Sequence, residues 1–245
     1  MVRGPRREVF TTMLVNDQGK VADVQEHWRR LEAHARRLRI VLGPWSEIDL
    51  ESTEPSGLVR LAYGPEAGWT IKQRPRGLHD EPMEAITVEA PRWTPGVNGT
   101  KHGDWEPYLQ ARSQAEERAC DVALFVHEHA LVDADRGTPM LLDEDGTVWL
   151  PHLDGGGVDG VVASWFERWL PDDGYPVQRG RLNERLVARC KECVVVGTGL
   201  GVVRIDAIDG QIMGDFTTFS EHLQQRLSEH YSQPGTWTLL GPTDE

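Results

Sequence analysis

One lysine lies where an amine could act as a nucleophile. Three of the four lysines have surface explanations: Lys20 follows a turn, Lys72 points outward from a predicted strand, and Lys191 lies near a polar helix end. Lys101 instead follows residues 91–100, a stretch with two prolines and two glycines. Binding clefts often form at junctions between domains, and a desolvated amine loses basicity and can attack an aldehyde. Lys101 is therefore a candidate catalytic residue, and an ordinary loop lysine is the alternative.

Two glycine-rich segments could bind an anion. Residues 155–157 are three glycines that precede a predicted helix, and the first N–H groups of a helix favour negative charge. Residues 197–201 follow a predicted buried strand, and Thr198 adds a hydroxyl donor to their backbone amides. A plain connection between two elements is the alternative for each segment, and the sequence pattern alone leaves both interpretations open.

Two further motifs have the spacing of metal or redox sites. Cys190 and Cys193 form a CxxC motif, but no second ligand pair is spaced like a zinc site. We favour a helix end that runs into an apolar strand. His127 and His129 follow a predicted strand, where alternate residues share a face and could reach one ion. A polar turn or sheet edge is the favoured interpretation there.

Hydrophobic periodicity and turn residues predict the elements that must position these residues. The predicted strands cover residues 8–15, 58–63, 69–73, 85–89, 122–126, 140–142, 148–150, 193–196 and 202–208. The predicted helices cover residues 23–40, 104–119, 159–170, 183–190 and 216–231. Asp23 and Glu26 have the spacing of a capping box at the start of the first helix. The predicted fold class is α+β, with a smaller domain at residues 1–96 and a larger one at residues 97–245.

Charge and composition exclude several classes of function. The 245 residues include 26 Lys and Arg and 39 Asp and Glu, which gives a net charge of −13. Binding to a nucleic acid backbone needs a basic face, so we expect no nucleic acid partner. No apolar run approaches the length of a membrane span and none follows the charged N-terminus, so we expect neither a membrane segment nor a signal peptide. Three cysteines give no disulfide framework, and we predict a cytoplasmic protein.

Several segments follow one another in an order that spans nearly the whole chain. They are VFTTM at residues 9–13, HWRRL at 27–31, TKH at 100–102, DGTVWLP at 145–151, GVDGVV at 157–162 and ECVVVGT at 192–198. Together they resemble the fold-type IV pyridoxal-phosphate enzymes, the class IV aminotransferase family. Aminotransferases of this group usually read Phe-Glu-Thr in the first segment. Phe-Thr-Thr and Lys-His are closer to the family's 4-amino-4-deoxychorismate lyases.

The resemblance implies a cofactor and the residues that bind it. It implies that Lys101 forms the Schiff base with pyridoxal 5′-phosphate and acts as the catalytic residue. Arg30 would bind the cofactor phosphate as a charge-assisted fork. The backbone N–H groups of Val161 and Val162 and the hydroxyl of Thr198 would complete the phosphate site. The resemblance also implies two α+β domains of the fold-type IV kind, with the cofactor cleft between them.

The sequence departs from the family at the positions that tune the cofactor ring. Ala134 stands where the family has the glutamate that faces the pyridine nitrogen, and Asp133 or Asp135 could substitute only if the strand bulges locally. Pro139 and Ala163 replace an asparagine and an arginine of the family pattern.

Two other features of the family are not matched in register. Glu106 stands where a tyrosine often follows the lysine, and Tyr108 comes two places later. The family's Asp-Arg-Gly and Tyr-Gly-Asp-Gly motifs before the first strand also have no match in this sequence.

The leading expectation is therefore a pyridoxal-phosphate-dependent lyase that converts 4-amino-4-deoxychorismate to 4-aminobenzoate and pyruvate. A class IV aminotransferase acting on small or branched-chain amino acids is the first alternative. A relative that binds the cofactor or a small anion without catalysis is the second, because of Ala134. The expected partners are a small-molecule substrate and a second copy of the chain in a homodimer, with no metal site.

Overall fold

A computed structural model describes residues 4–44, 48, 56–77 and 81–240. The chain divides into two compact units. Unit 1 takes its residues from Met1–Gly77, Thr100–Trp105 and Ser228–Glu245, and unit 2 from Leu78–Gly99 and Glu106–Leu227. Both units combine strands and helices, as predicted for an α+β chain.

The helices and strands are numbered in chain order. The strands are β1 (Val9–Val15), β2 (Lys20–Ala22), β3 (Gly57–Gly64), β4 (Gly68–Arg74), β5 (Met83–Glu89), β6 (Val122–His127), β7 (Ala130–Ala134), β8 (Thr138–Leu142), β9 (Val148–Pro151), β10 (Val177–Gly180), β11 (Leu182–Asn183), β12 (Glu192–Gly197), β13 (Gly201–Ile208), β14 (Gln211–Ile212) and β15 (Trp237–Leu239). The α-helices are α1 (Val24–Leu38), α2 (Glu106–Glu117), α3 (Val161–Trp169), α4 (Glu184–Arg189) and α5 (Thr218–Ser232). Short 3₁₀ turns form at Gly4–Arg7, Leu153–Gly155 and Pro234–Thr236.

Unit 1 contains a five-stranded antiparallel sheet in the order β15-β2-β1-β3-β4. The central strand β1 consists almost entirely of apolar and β-branched residues, which suits a strand buried on both faces. Helix α1 packs against β1 and buries His27, Leu31, His34 and Leu38 along one face. The sheet and this helix together position the residues around Lys101.

Unit 2 contains a larger mixed sheet in the order β10-β9-β8-β12-β13-β5-β6-β7-β11, with β14 added beside β13. Three of its pairings are parallel, those of β10 with β9, of β13 with β5 and of β5 with β6. The apolar core against this sheet includes Leu124, Leu131, Ala134, Val195 and Ile205. The buried strands therefore hold the loops that carry the glycine-rich segments.

Strand β7 contains a bulge beside β6. Leu124 pairs with Ala134 and Phe125 with Asp133, but Val126 pairs with Leu131, so Val132 is an extra residue. The extra residue puts Leu131 and Ala134 into the same apolar core although an odd number of steps separates them. Residues next to Ala134 along the strand then face away from that core.

The observed units and the predicted domains divide the chain differently. A single boundary was predicted between residues 96 and 97, whereas three segments of chain make up unit 1. Strand β5 pairs with β13 and β6 of unit 2, and β15 pairs with β2 of unit 1. Residues 91–100 form turns without a helix or strand, which agrees with their composition.

The predicted capping box at the start of α1 is wrong. Asp23 has a φ of 54°, in the left-handed region, and its side chain accepts no N–H of the first helical turn. An N-cap residue needs an extended backbone to do so. The Asp23 carboxylate instead accepts a hydrogen bond from Nε2 of His230 at 2.8 Å. A contact distant in sequence therefore replaces the local one.

The predicted strands and helices are all present, with bounds that differ by one to a few residues. The predicted hairpin is also present, because β8 pairs with β9 antiparallel across an Asp-Glu-Asp-Gly turn. The strands that were not predicted are β2, β7, β10, β11, β14 and β15, each of two to five residues. None of the helices in the described part of the chain has the length and apolar character that a membrane crossing requires.

Candidate functional site

The backbone of Lys101 is held on both sides within unit 1. Its N–H donates to Nδ1 of His34 at 3.1 Å, and its carbonyl accepts from the N–H of Phe10 at 3.2 Å. The next residue, His102, forms an isolated antiparallel bridge to Val9. The segment that carries Lys101 is thus attached to the start of β1 and to a side chain of α1. Its backbone is fixed although it lies outside regular secondary structure.

The Lys101 amine lies against aromatic rings. Its Nζ is 4.8 Å from the ring centroid of Trp105 and 5.2 Å from that of Phe10. The two rings meet edge to face with their centroids 5.0 Å apart. The guanidinium of Arg60 lies 4.0 Å from the Phe10 centroid and forms an ion pair with Glu8 at 2.5 Å. The face of an aromatic ring attracts a cation, so these contacts help to fix the position of the Lys101 ammonium group.

Arg30 is anchored on α1 by two side chains. Its Nη2 donates to the Thr11 hydroxyl at 2.9 Å and lies 3.4 Å from Nδ1 of His27. The Thr11 hydroxyl in turn lies 2.9 Å from the same nitrogen of His27. Thr11 and His27 are both almost fully buried, and Arg30 is half-buried. The guanidinium therefore emerges from a buried polar cluster.

The charges of Arg30 and Lys101 act on the same two buried imidazoles. Burial is the main cause that lowers the pKa of His27 well below its ordinary value, and the cations Arg30 and Lys101 lower it further. The same causes, in the same order, lower the pKa of His34, with smaller effects from Arg37 and His102. Unit 1 thus brings together the two cations that the sequence singled out, next to imidazoles that stay neutral.

The predicted phosphate residues of unit 2 also lie near one another. Val161 and Val162 lie in the first turn of α3, and this turn contains no acidic residue. The partial positive charge at the N-terminus of the helix is therefore not neutralised by a side chain of that turn. A Cβ at Gly160 would come within 2.7 Å of the Thr138 hydroxyl. Thr138 pairs with Val196, two residues before the turn that contains Thr198. Thr138, the first residue of β8, therefore lies between the start of α3 and the β12–β13 turn. The sequence analysis did not identify Thr138 as a candidate.

Ala134 faces the apolar core of unit 2, and the carboxylate beside it is already engaged. The buried side chain of Asp133 accepts from the Tyr108 hydroxyl at 2.9 Å and from the Val158 N–H at 3.0 Å. Burial, together with the charge of Asp133, raises the pKa of Tyr108 well above its ordinary value. The strand does bulge locally, which was the condition for Asp133 to replace the family's glutamate, but the Asp133 side chain faces Tyr108 of α2.

The CxxC motif is a helix end followed by a strand, as favoured from the sequence. Cys190 ends α4 and Cys193 lies within β12, and both are free thiols. Burial raises the pKa of Cys190 to about 11 and that of Cys193 well above its ordinary value. Both side chains are therefore protonated at neutral pH, which opposes nucleophilic or ligand chemistry.

His127 ends β6 and His129 lies in the β6–β7 turn, in agreement with the favoured interpretation of a polar turn. Glu128 and His129 have φ values of 47° and 61°, which reverse the chain direction there. Across residues 4–44, 48, 56–77 and 81–240, no group of three or more His, Cys, Asp and Glu side chains is arranged to hold a metal ion.

A family model described as amino-transferase class IV matches residues 8–208. The chain belongs to the class IV aminotransferase family. Members of this family are enzymes that use pyridoxal 5′-phosphate, and the architecture described above is their α+β fold-type IV. The match covers Lys101, Arg30 and both glycine-rich segments.

Solved structures with the same fold include a proposed lyase and several aminotransferases. A proposed 4-amino-4-deoxychorismate lyase from Legionella pneumophila superposes with a TM-score of 0.79 at 17% identity, over 94% of this chain and 96% of its own. The Escherichia coli branched-chain aminotransferase gives 0.81 at 14% identity, over 96% and 90%. A hypothetical Mycobacterium tuberculosis aminotransferase, solved in its PLP-bound form, gives 0.77 at 18% identity, over 90% and 87%. No curated protein matches the sequence.

Proposed function

We propose that this chain binds pyridoxal 5′-phosphate and that Lys101 holds the cofactor covalently through its amine. The observation that carries the proposal is the placement of Lys101 and Arg30 around the same buried imidazoles, His27 and His34. An aldehyde that bears a phosphate needs a nucleophilic amine and a fixed cation at short range. These two residues supply both.

The residues of unit 2 suit the phosphate end of the same cofactor. The N–H groups of Val161 and Val162 lie in the first turn of a nine-residue helix, where the backbone favours an anion. Thr198 lies half-buried in a glycine-rich turn and offers a hydroxyl. We propose that these three residues contribute to phosphate binding.

The proposed reaction is the conversion of 4-amino-4-deoxychorismate to 4-aminobenzoate and pyruvate. When bound, the cofactor supplies an electron sink for the charge left on a carbon that loses a proton. Lys101 would take the proton from the carbon bearing the substrate amino group and return one to the leaving pyruvate side. The Phe-Thr-Thr and Lys-His motifs support the lyase, as does the near end-to-end superposition on the Legionella protein.

Ala134 favours a second candidate function, binding of the cofactor without efficient catalysis. Its side chain lies in the apolar core and cannot keep the pyridine nitrogen protonated. A neutral ring withdraws electrons less well, so the lyase and an aminotransferase acting on amino acids would both be slow. The Escherichia coli neighbour supports the aminotransferase as the other enzymatic candidate.

The absorption spectrum of the protein incubated with pyridoxal 5′-phosphate tests the role of Lys101. We expect a visible band in the wild type and in Lys72→Ala, which removes an exposed lysine of β4, but none in Lys101→Ala. A band that persists in Lys101→Ala would overturn the assignment. Absence of a band in the wild type would overturn cofactor binding itself.

Product assays with the loaded protein separate the three candidate functions. The lyase predicts pyruvate from 4-amino-4-deoxychorismate. The aminotransferase predicts conversion of the bound cofactor to its amine form when amino acids are added. A protein that retains the band but does neither is the binding-only relative. We also propose a homodimer, which light scattering of the purified protein would detect as twice the chain mass of 27.5 kDa.

A further inference from the structure

A buried threonine and histidine share one terminal nitrogen of Arg30. Thr11 is 1% exposed on β1 and His27 is 1% exposed on α1, so water does not compete for their polar atoms. The Thr11 hydroxyl, Nδ1 of His27 and Nη2 of Arg30 form a triangle with sides of 2.9, 2.9 and 3.4 Å. Such a cluster is costly to bury unless each polar atom has a partner.

Donor and acceptor rules fix the direction of each hydrogen bond in this triangle. A guanidinium can only donate, so the Thr11 oxygen accepts from Arg30. The Thr11 hydroxyl then has its own proton to donate, and Nδ1 of His27 lies within reach. Nδ1 faces donors on both sides and must be an acceptor, which places the imidazole proton on Nε2.

The electrostatic surroundings maintain this proton arrangement. Burial first, and then the charges of Arg30 and Lys101, lower the pKa of His27 well below its ordinary value. A second proton on the ring would sit beside the guanidinium and would remove the acceptor. The ring therefore stays neutral with Nδ1 open, which is the form that the Thr11 hydroxyl needs.

We propose that Thr11 and His27 are positioning residues that fix the orientation of the Arg30 fork for a phosphate group. The inference rests on the proposed function, in which Arg30 binds the cofactor phosphate. One terminal nitrogen is tied to the Thr11 hydroxyl, so the guanidinium cannot rotate freely about its long side chain. Bidentate phosphate recognition depends on such a fixed plane, and less conformational entropy is lost on binding.

The test compares pyridoxal 5′-phosphate with pyridoxal, which has the same aldehyde and lacks the phosphate. Thr11→Val removes the hydroxyl at almost constant volume, and Thr11→Ser restores it. The matched control is Thr12→Val, because neighbouring residues of a strand point to opposite faces. We expect Thr11→Val to weaken binding of pyridoxal 5′-phosphate about tenfold, which is about 1.4 kcal/mol. Pyridoxal binding should not change, and Thr11→Ser and Thr12→Val should resemble the wild type.

The Arg30→Ala variant separates failure of this inference from failure of the proposed function. If Arg30→Ala leaves the preference for pyridoxal 5′-phosphate over pyridoxal unchanged, the phosphate role of Arg30 is wrong. If Arg30→Ala reduces the preference but Thr11→Val does not, only the positioning role is overturned. In the Arg30→Ala background, Thr11→Val should have no further effect on the preference. Equal weakening of both ligands by Thr11→Val would indicate a general structural role and would also overturn the proposal.

The tautomer of His27 provides a readout that needs neither cofactor nor stable variants. Nitrogen NMR of the wild-type protein should show His27 with its proton on Nε2 and with an unprotonated Nδ1. A proton on Nδ1 would overturn the hydrogen-bond directions on which the proposal depends.

His27→Asn, which keeps an acceptor near the Nδ1 position, should retain more of the phosphate preference than His27→Leu; equal loss would contradict the proposal.

Discussion

The backbone of Lys101 is held in part by a hydrogen bond to the side chain of His34, which is distant in sequence. Nδ1 of His34 accepts from the Lys101 N–H, and Phe10 binds the carbonyl of the same residue. The lysine is therefore held by its main chain, while its side chain lies against two aromatic rings. This arrangement fixes the backbone from which the amine of the proposed nucleophile extends.

We expect His34→Leu to lower the free energy of unfolding by about 1–3 kcal/mol, because it leaves the Lys101 N–H without its acceptor. His34→Asn keeps an oxygen near the Nδ1 position and should lose less. Urea unfolding of the two variants measures the difference. Equal destabilisation would show that the contact contributes little and that packing volume dominates.

The sequence indicated candidate site residues only where several motifs follow one another in the family's order. The HWRRL segment indicated Arg30, and the TKH segment indicated Lys101. The partners of these residues could not be predicted, because Thr11 meets His27 only once α1 packs on β1. Thr138 was missed for the same reason.

The bulge in β7 determines which side chains of the strand face the apolar core and which face α2. It places Ala134 in the apolar core and Asp133 beside Tyr108 of α2. Asp133 joins three elements, since it also accepts from the Val158 N–H shortly before α3. An alanine at 134 is therefore a packing residue, and the polar contact at 133 holds α2 and the α3 loop to the sheet.

Tyr108→Phe removes a hydrogen-bond donor to the buried Asp133. We expect the free energy of unfolding to fall by about 1–3 kcal/mol. The reason is that the lost hydrogen bond no longer offsets the cost of removing the carboxylate from water. Tyr63→Phe is the matched control, since Tyr63 lies half-buried on β3 of unit 1. Thermal or urea unfolding gives the comparison. A loss no larger than that of the control would argue against the role assigned to this hydrogen bond.

Long elements could be predicted from their own residues, and short or tertiary features could not. Periodicity predicted α1 and β13 because their apolar positions repeat over many residues. Strands of two to four residues such as β14 lack such a repeat and form only beside a partner. The start of α5 is similar: the buried carboxylate of Glu192 accepts from the N–H groups of Phe219 and Ser220. No local sequence pattern predicts this capping of α5 by a residue from β12.

At the scale of the whole molecule, the buried histidines of unit 1 link stability to pH. Burial lowers the pKa of His102 from 6.5 to about 4, and the pKa values of His27 and His34 are lowered in the same direction. Between pH 6.5 and 4 the unfolded chain binds protons at these positions that the folded chain does not. Stability is therefore full above the unfolded pKa and decreases as the pH falls through this window.

The change from pH 6.5 to 4 should cost about 3 kcal/mol at His102 alone, at about 1.4 kcal/mol per pH unit. Urea unfolding at several pH values measures this dependence. His102→Asn keeps an acceptor for the Asp104 N–H and removes the titrating group, so its unfolding free energy should fall less steeply. Identical slopes for the wild type and the variant would contradict the assignment to His102.

The pairing of β15 with β2 has a consequence for the order of folding during synthesis. Trp237 pairs with Ala22, so the sheet of unit 1 gains this edge strand only after all of unit 2 has been synthesised. Unit 2 has its last residue at Leu227 and can form earlier. N-terminal domains usually fold first as they emerge. In unit 1, β2 is synthesised long before its partner β15. Until β15 is available, the edge of β2 is exposed and can pair with other strands.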